Sequence, residues 1–463
     1  MQNIVVNIIP EQLFQRFAGS LPRYTSYPTA VELKQAQDDQ LARVALQTCQ
    51  TKPVSLYVHL PYCKSLCYFC ACNKIISEDS ADKDSYLDYL ERECALIQKI
   101  NKEKLLIADL HLGGGSPSYL NISQLKRLHQ ILRDHFDLRQ ARELSIEIDP
   151  RTFDREKAAL LKSLGFSRAS LGVQDFDAVV QEAVNRIQPL VMTQESCRFL
   201  KEAGFTGVNF DLIYGLPEQT LAGFRSTLEE VLKLRPDRIA LYGYAQVPWK
   251  KKVQNVFNKL HLPTPEERLE IFQMAVAMLS GAGYEYIGLD HFALPEDELS
   301  LALRSGKLRR NFMGYTTFAG SGILALGVSA ISDLGGTLYQ NAPELEKYQA
   351  QIAAGRLPVA KILVRTAEDL VRATLIERVM CDVVLDLDQL GLTPAAAARA
   401  AEILHEAQSN LLEFEEAGLL RLQPTGFTVT ELGRFFLRNI AAVFDAYLPL
   451  HAAGGKRVFS QAV

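Results

Sequence analysis

A chain of 463 residues, 48% of them apolar, can bury a large core and divide into two or three domains. A net charge of -4 with both signs interspersed gives no field for nucleic acid or an anionic membrane, and no apolar run reaches the length of a membrane span. The stretch Met1 to Pro10 has neither a basic start nor a long apolar region, which speaks against a secretory leader. Four of the eight Cys crowd into one decamer and the others are scattered at Cys49, Cys94, Cys197 and Cys381. That pattern fits core thiols in a reducing cytoplasm better than a disulfide framework.

Residues 1–50 mix polar and apolar sequence broken by Pro and Gly and read as an N-terminal strap. Its run Arg23-Tyr24-Thr25-Ser26-Tyr27-Pro28-Thr29 favours an extended segment, which either packs on the surface or faces a site. From 54 to about 245 one pattern repeats: a short β-branched run ending in polar residues or glycine, then a longer segment of helical period. Strands are expected at 54–60, 107–112, 144–149, 169–174, 208–213 and 239–244. Helices are expected at 82–99, 122–134, 155–164, 193–203 and 220–233. Six such units in an α/β chain require a parallel sheet with right-handed crossovers, curled into a partial TIM-type (βα)6 barrel; a doubly wound sheet is the alternative.

Further on, Lys250-Lys251-Lys252 reads as a solvated turn or as a face toward carboxylates, followed by a helix near 265–280. After about 361 the composition shifts to Ala, Leu and Glu with helical period, ending in Gly426-Phe-Thr-Val-Thr-Glu-Leu-Gly433. The expected domains are therefore a strap at 1–50, a barrel with extension at 51–360, and a mostly helical, winged-helix-like domain at 361–463. Acidic Glu413, Glu415 and Glu416 make that last domain a poor DNA binder and a better lid.

The chemistry points to Cys63-Lys-Ser-Leu-Cys67-Tyr-Phe-Cys70-Ala-Cys72. Thiolates spaced Cys-x3-Cys-x2-Cys can hold three corners of a [4Fe-4S] cubane and leave one iron open. A zinc site is the alternative, but it lacks a second half to close a tetrahedron, and Cys72 stands too close to Cys70 to serve the same cubane easily. Other polar residues fall at strand ends, where a βα barrel places its chemistry: Gly113-Gly-Gly-Ser-Pro, Glu147-Ile-Asp149, Gln174-Asp175, Asp211 and Tyr242-Gly-Tyr-Ala245. The glycine run lets backbone approach a ligand, or simply turns; it has neither the Lys nor the spacing of a Walker loop. Taken singly, Arg186 and Asp211 read equally as an ordinary buried hydrogen bond or ion pair.

The Cys run after Tyr57-Val-His-Leu-Pro-Tyr resembles the radical S-adenosylmethionine (SAM) superfamily. With the continuation Cys70-Ala-Cys72-Asn-Lys, the segment Pro22-Arg-Tyr-Thr-Ser-Tyr-Pro-Thr-Ala30 and a match running to Arg438–Asp445, the chain resembles the oxygen-independent coproporphyrinogen III oxidases (dehydrogenases) of haem biosynthesis. The resemblance implies a radical SAM barrel in which Cys63, Cys67 and Cys70 bind the cluster and Tyr57, Gly114 and Glu147 hold one SAM. It implies a second SAM on Phe69, Gly115, Ser116, Gln174, Arg186, Asp211, Ala245 and Ile331. The implied reaction uses a 5′-deoxyadenosyl radical to decarboxylate coproporphyrinogen III oxidatively to protoporphyrinogen IX. A tetracarboxylate substrate needs cations, for which Arg23, Arg309, Arg310 and Lys250 to Lys252 are candidates, with Tyr24 beside them. A monomer served by a separate electron donor and acceptor is expected. Departures from the family pattern at Gly243–Gln246, Leu294 and Phe318–Ala325, with Ser116 a milder one, remove polar groups on the substrate side. They keep two alternatives open: a related radical SAM enzyme with another porphyrin-like substrate, and a haem-binding chaperone relative.

Overall fold

The computed structural model describes residues 9–49, 52–318, 322–453 and 459. Its centre is a run of parallel strands: β1 (Val54–Leu60), β2 (Leu105–Gly114), β3 (Glu143–Ile148), β4 (Arg168–Gln174), β5 (Gly207–Tyr214) and β6 (Arg238–Gly243). Each is hydrogen-bonded to the next in sequence. That order never reverses between β1 and β6, so the doubly wound alternative falls and the barrel expectation holds. The helices following β1 to β5 include α1 (Ser80–Asn101), α2 (Ile122–His135), α3 (Arg155–Ser163), α4 (Leu190–Ala203) and α5 (Leu221–Leu234). Their starts are fixed by side-chain caps at Asp79, Asn121, Asp154 and Thr220, with Pro189 before α4.

Alternation along the strands sorts the side chains. On β3 and β4, Leu144, Ile146, Ile148, Ala169, Leu171 and Val173 are buried beneath the helices, while Glu143, Ser145, Glu147, Arg168, Ser170 and Gln174 occupy the other face. Burying each large apolar side chain contributes roughly 1.5–3 kcal/mol. This inner row is polar, where most such barrels fill the lumen with branched apolar residues.

The ring stays open. Beyond β6 lies an antiparallel hairpin of β7 (Glu285–Gly288) and β8 (His291–Ala293). On the far side of β1 a seventh parallel strand, β9 (Gly322–Leu326), is followed by antiparallel β10 (Ile331–Leu334), β11 (Thr337–Asn341) and β12 (Val359–Val364). Two sequence-derived boundaries move as a result. The 360/361 division cuts through β12, and residues 1–50 are not all strap, because Lys34–Gln35 pairs with β12 as an edge strand. A two-residue edge strand is stabilised by backbone bonds alone and carries no periodicity to read.

The last helical region begins at α6 (Ala367–Asp382), opened by a Thr366/Asp369 capping box. Its small sheet has three strands, Val384–Asp386 joining the hairpin Leu420–Gln423 and Gly426–Val429. The strap fastens this region to the barrel edge. Phe17 packs on Phe414 and Phe436, Arg438 Nε donates to the Pro22 carbonyl at 3.0 Å, and Arg23 pairs with Asp290 beside β8.

Candidate active site

The cysteine loop leaves the end of β1 and is closed at its base, where Tyr62–Cys63 pairs with Ile75–Ile76 and the Ile75 N–H donates to the Pro61 carbonyl at 2.8 Å. Its backbone is held from outside. The Tyr68 N–H reaches the Val184 carbonyl at 3.1 Å, Asn185 Nδ2 the Leu66 carbonyl at 2.8 Å, and Gln254 Nε2 the Phe69 and Ala245 carbonyls at 3.2 and 3.1 Å. All eight cysteines are free. Arg186 Nη1 and Arg151 Nη2 donate to Cys67 Sγ at 3.5 and 3.6 Å, and both guanidinium groups grip Asp149. Burial works against the Asp149 carboxylate, but the two Arg charges outweigh it and hold its pKa down at about 2. Cys63 lies within electrostatic reach of Cys70 and Cys67, and burial, then those neighbours, push its thiol up to about 12. Cys70 is pulled down by a hydrogen bond from Cys72 and by Lys74. Among the described residues no three His, Cys, Asp or Glu side chains close on a point, as a lone ion would need. A cubane is a wider body, and three free thiols on one loop suit it.

Beside this loop stands the glycine run. A Cβ at Gly113 would come within 2.8 Å of Glu147 Oε1, and one at Gly115 within 2.5 Å of the Pro61 carbonyl oxygen. Gly114, with φ +113°, would drive a Cβ to 2.7 Å from the His59 ring. Glycine is required here for close approach, not only for turning. The clearance lets the Gly114 N–H donate to Glu147 Oε2 at 3.1 Å, while Glu147 Oε1 faces His111 Nε2 at 3.3 Å. His111 is fixed on its other side by Ser145 Oγ at 2.8 Å and stacks on Tyr57 at 6.0 Å. Burial pulls the imidazole down, but the hydrogen bond and charge of Glu147 outweigh it and leave His111 above its ordinary value. Glu147 is in turn held below the usual carboxylate range, His111 and the Gly114 N–H overcoming burial. Tyr57 Oη and His59 Nδ1 meet at 3.1 Å, and Tyr57 adjoins the bonded Gly114–Glu147–His111 group through its stacking on the His111 ring.

The polar row continues down the lumen, around a cavity of about 530 Å³ that runs past His111, Glu147, Asp211 and Tyr242. Asp211 accepts from Ser170 Oγ at 2.7 Å and Asn209 Nδ2 at 2.9 Å, yet burial pushes it up to about 6. Gln174, in the left-handed region at φ +66°, keeps a buried Oε1 with no partner, as does Nε of Arg186. The other polar end of Arg186 is committed to the Gly172 carbonyl at 2.7 Å. Ser116 is buried behind the cysteine loop, its N–H on the Tyr62 carbonyl at 2.9 Å. Ile331 begins β10, beside an apolar patch of Ile323, Ala325 and Ala330 that packs on Tyr57.

The cationic candidates divide. Arg23 lies over the Tyr242 ring at 5.4 Å, and Arg310 donates to the Arg23 carbonyl at 3.3 Å and keeps a buried Nη1 without a partner. Tyr24 instead turns its hydroxyl to Asp445 at 3.0 Å, and Tyr24, Arg309 and Arg310 together line a separate hollow of about 380 Å³ with Arg365 and Glu377. The Lys trio lies on the outer side of the cysteine loop, Lys251 Nζ donating to the Cys72 carbonyl at 3.2 Å. Of the departures, Leu294 is buried in the core, Phe318 lines the lumen under the Arg142 guanidinium at 4.9 Å, and residues 319–321 lie outside the described residues. Sequence reasoning missed His111, His59, Arg151, Ser170 and Asn209, and marked Asp149 only as a strand-end residue. The available signal was alternation: once the β3 run Glu-Leu-Ser-Ile-Glu-Ile is a barrel strand, its polar positions all face the lumen.

A family model described as the radical SAM superfamily matches residues 57–231. The chain is 40% identical over 453 residues to an oxygen-independent coproporphyrinogen III oxidase of Helicobacter pylori, covering 97% of this chain and 98% of the relative. It is 39% identical over 440 residues to one from Escherichia coli, at 94% and 95% coverage. The solved structure of coproporphyrinogen III oxidase (HemN) from Escherichia coli, described as a radical SAM enzyme, superposes with a TM-score of 0.87 at 39% identity, over 92% of this chain and 97% of that one.

Proposed function

Since the chain belongs to the oxygen-independent coproporphyrinogen III oxidases of the radical SAM superfamily, we propose that its lumen receives coproporphyrinogen III and that the Cys63–Cys72 loop carries the cluster beside it. The reaction is oxygen-independent oxidative decarboxylation to protoporphyrinogen IX in haem biosynthesis. Two propionate chains each lose a hydrogen atom, carbon dioxide and one electron and become vinyl groups. When bound, the cluster and SAM supply the one-electron cleavage that makes the hydrogen-abstracting radical.

The chain's own residues bind, orient and shield. Cys63, Cys67 and Cys70 are the proposed ligands, and Arg151 and Arg186 beside Cys67 offset thiolate charge. Glu147, aimed by His111 and the Gly114 N–H, accepts from the ribose hydroxyls of one SAM, with Tyr57 alongside. A second SAM site is assigned to Phe69, Gly115, Ser116, Gln174, Arg186, Asp211, Ala245 and Ile331. The partnerless Gln174 Oε1 and Arg186 Nε support it, because buried polar atoms without partners are uncommon. Arg23 and Arg310 are the proposed cations for substrate carboxylates, supported by their position at the Tyr242 end of the lumen. Tyr24 and Arg309 are given the lesser role of anchoring the strap and the hairpin around them.

The observation that carries this reading is the set of Glu147, the glycine run packed against it and the three-thiol loop, side by side at one end of a polar lumen. Partnership with a separate electron donor and acceptor, monomeric state and a cytoplasmic setting belong to the same proposal; no helix among the described residues is long and apolar enough to cross a membrane. Anaerobic incubation with coproporphyrinogen III, SAM and dithionite tests it, and vinyl product is expected. Deoxyadenosine without vinyl product would mean another substrate, and haem binding without SAM turnover would mean a chaperone.

A further inference from the structure

The Lys250-Lys251-Lys252 segment is absorbed by none of the roles above, and its surroundings give it one. Residues 246–265 contain no Asp or Glu and carry Lys250, Lys251, Lys252 and Lys259. The cysteine loop, 61–77, also has no acid and carries Lys64 and Lys74. In a chain of net charge -4 these two cation-only stretches lie against each other, through Lys251 Nζ on the Cys72 carbonyl at 3.2 Å and Gln254 Nε2 on the Phe69 carbonyl at 3.2 Å. Both pack with the helix Ala178–Ala183 around one small core of Val180, Val184, Tyr244 and Phe257, against which Tyr68 and Phe69 rest. The outer side of this cap shows apolar surface. Trp249, the only tryptophan of the chain, is 46% exposed, with Val256 at 47% and Val179 at 60% on the adjoining segments. Glu182 is an exposed acid on the neighbouring helix.

Exposed aromatic and aliphatic side chains on the same short segment as exposed Lys250, Lys252 and Lys259 suit a protein-docking surface that steers an acidic partner. Its position over the outer face of the cysteine loop fixes what the partner does. Resting on the reading that this loop holds a redox cluster, we infer that the cap formed by residues 246–259 and the outer side of the cysteine loop docks an acidic one-electron carrier protein. In each encounter the carrier is oxidised by one electron and the cluster is reduced by one, with no proton or group transferred.

The test uses the reconstituted holoenzyme and an acidic ferredoxin that lacks tryptophan. Titration with ferredoxin should change Trp249 fluorescence, and the affinity should fall steeply with added salt. In Lys250→Glu/Lys252→Glu, ferredoxin binding and ferredoxin-driven deoxyadenosine formation should each drop by about ten-fold or more, while the dithionite-driven rate stays within about two-fold of wild type. Unchanged ferredoxin binding in the variant overturns the docking surface. So does an equal loss of the dithionite-driven rate accompanied by a raised KM for coproporphyrinogen III, which would assign the lysines to substrate. If dithionite yields no deoxyadenosine from the wild type, the cluster reading itself has failed and takes this one with it.

Discussion

The two ends of β4 are both polar, and they behave in opposite ways. At its start Arg168 is fully engaged, with Glu143 at 2.5 Å, Asp297 at 3.3 Å and Glu298 at 3.7 Å. Asp297 also closes on Arg238 at 2.8 Å and accepts from the Leu299 N–H, so this floor of the barrel is satisfied from within the protein. At the other end Gln174 keeps a partnerless Oε1 and Arg186 a partnerless Nε. A buried polar atom without a partner costs about 1–3 kcal/mol, so such a rim persists where a ligand completes it. Polarity alone therefore does not separate the two ends; the unpartnered atoms of Gln174 and Arg186 do.

Cys67→Ser breaks the comparison at the rim alone. Iron and sulfide content after anaerobic reconstitution should fall to background, and SAM cleavage with it, while thermal unfolding barely moves. Retention of a full cluster would remove Cys67 from the ligand set. The reverse break is Asp297→Ala, which strands the half-buried Arg238 guanidinium, takes one of three carboxylates from Arg168, and should lower unfolding free energy by about 3 kcal/mol in urea titrations. Turnover per folded molecule should remain near wild type. A large loss of SAM affinity in that variant would show that floor and rim are one device.

The contrast between floor and rim was not legible in the sequence, although most of the fold was. The expected strand 54–60 matches to the residue and the other five to within two, because β-branched runs and helical periods are local signals. The Cys spacing and the glycine run were local too. Arg168 and Gln174, six residues apart on one strand, look alike as letters, since what separates them is whether Asp297 or nothing arrives from a distant part of the chain. His111 was passed over for the same reason: its value comes from Ser145 and Glu147 on the next strand. The seventh parallel strand β9 lies more than 260 residues from β1, with which it pairs, so no window of sequence could reveal it.

Asp211 lies between the two extremes, with partners but deeply buried, and pH can sharpen its place. Its folded pKa, about 6, is raised above the ordinary 3.8 by burial. A raised acid contributes stability that is whole below the unfolded value and is lost as pH rises through the folded one. Across pH 3.8 to 6 this group should thus remove on the order of 3 kcal/mol from wild-type stability. In Asp211→Asn that slope should vanish from urea unfolding measured through the window. An unchanged slope would mean that Ser170 and Asn209 already hold the carboxylate at its ordinary value. Binding of a cationic ammonium group should likewise pull the Asp211 titration back down, as followed by carboxyl NMR.

Glu147→Gln gives the smallest expected effect and the finest test of what completes the rim. The amide oxygen can still accept from the Gly114 N–H, so the backbone cradle survives, but the charge that holds His111 above its ordinary value is gone. Charge-assisted hydrogen bonds are roughly twice as strong as neutral ones, so SAM affinity should weaken by about ten-fold, or ~1.4 kcal/mol, in anaerobic calorimetry. The His111 imidazole should titrate lower in the same variant. If affinity falls while His111 does not shift, Glu147 acts by direct contact with SAM and the histidine is a bystander. If His111 shifts and affinity holds, the carboxylate serves to orient the ring, and the ribose contact belongs to another residue of the rim.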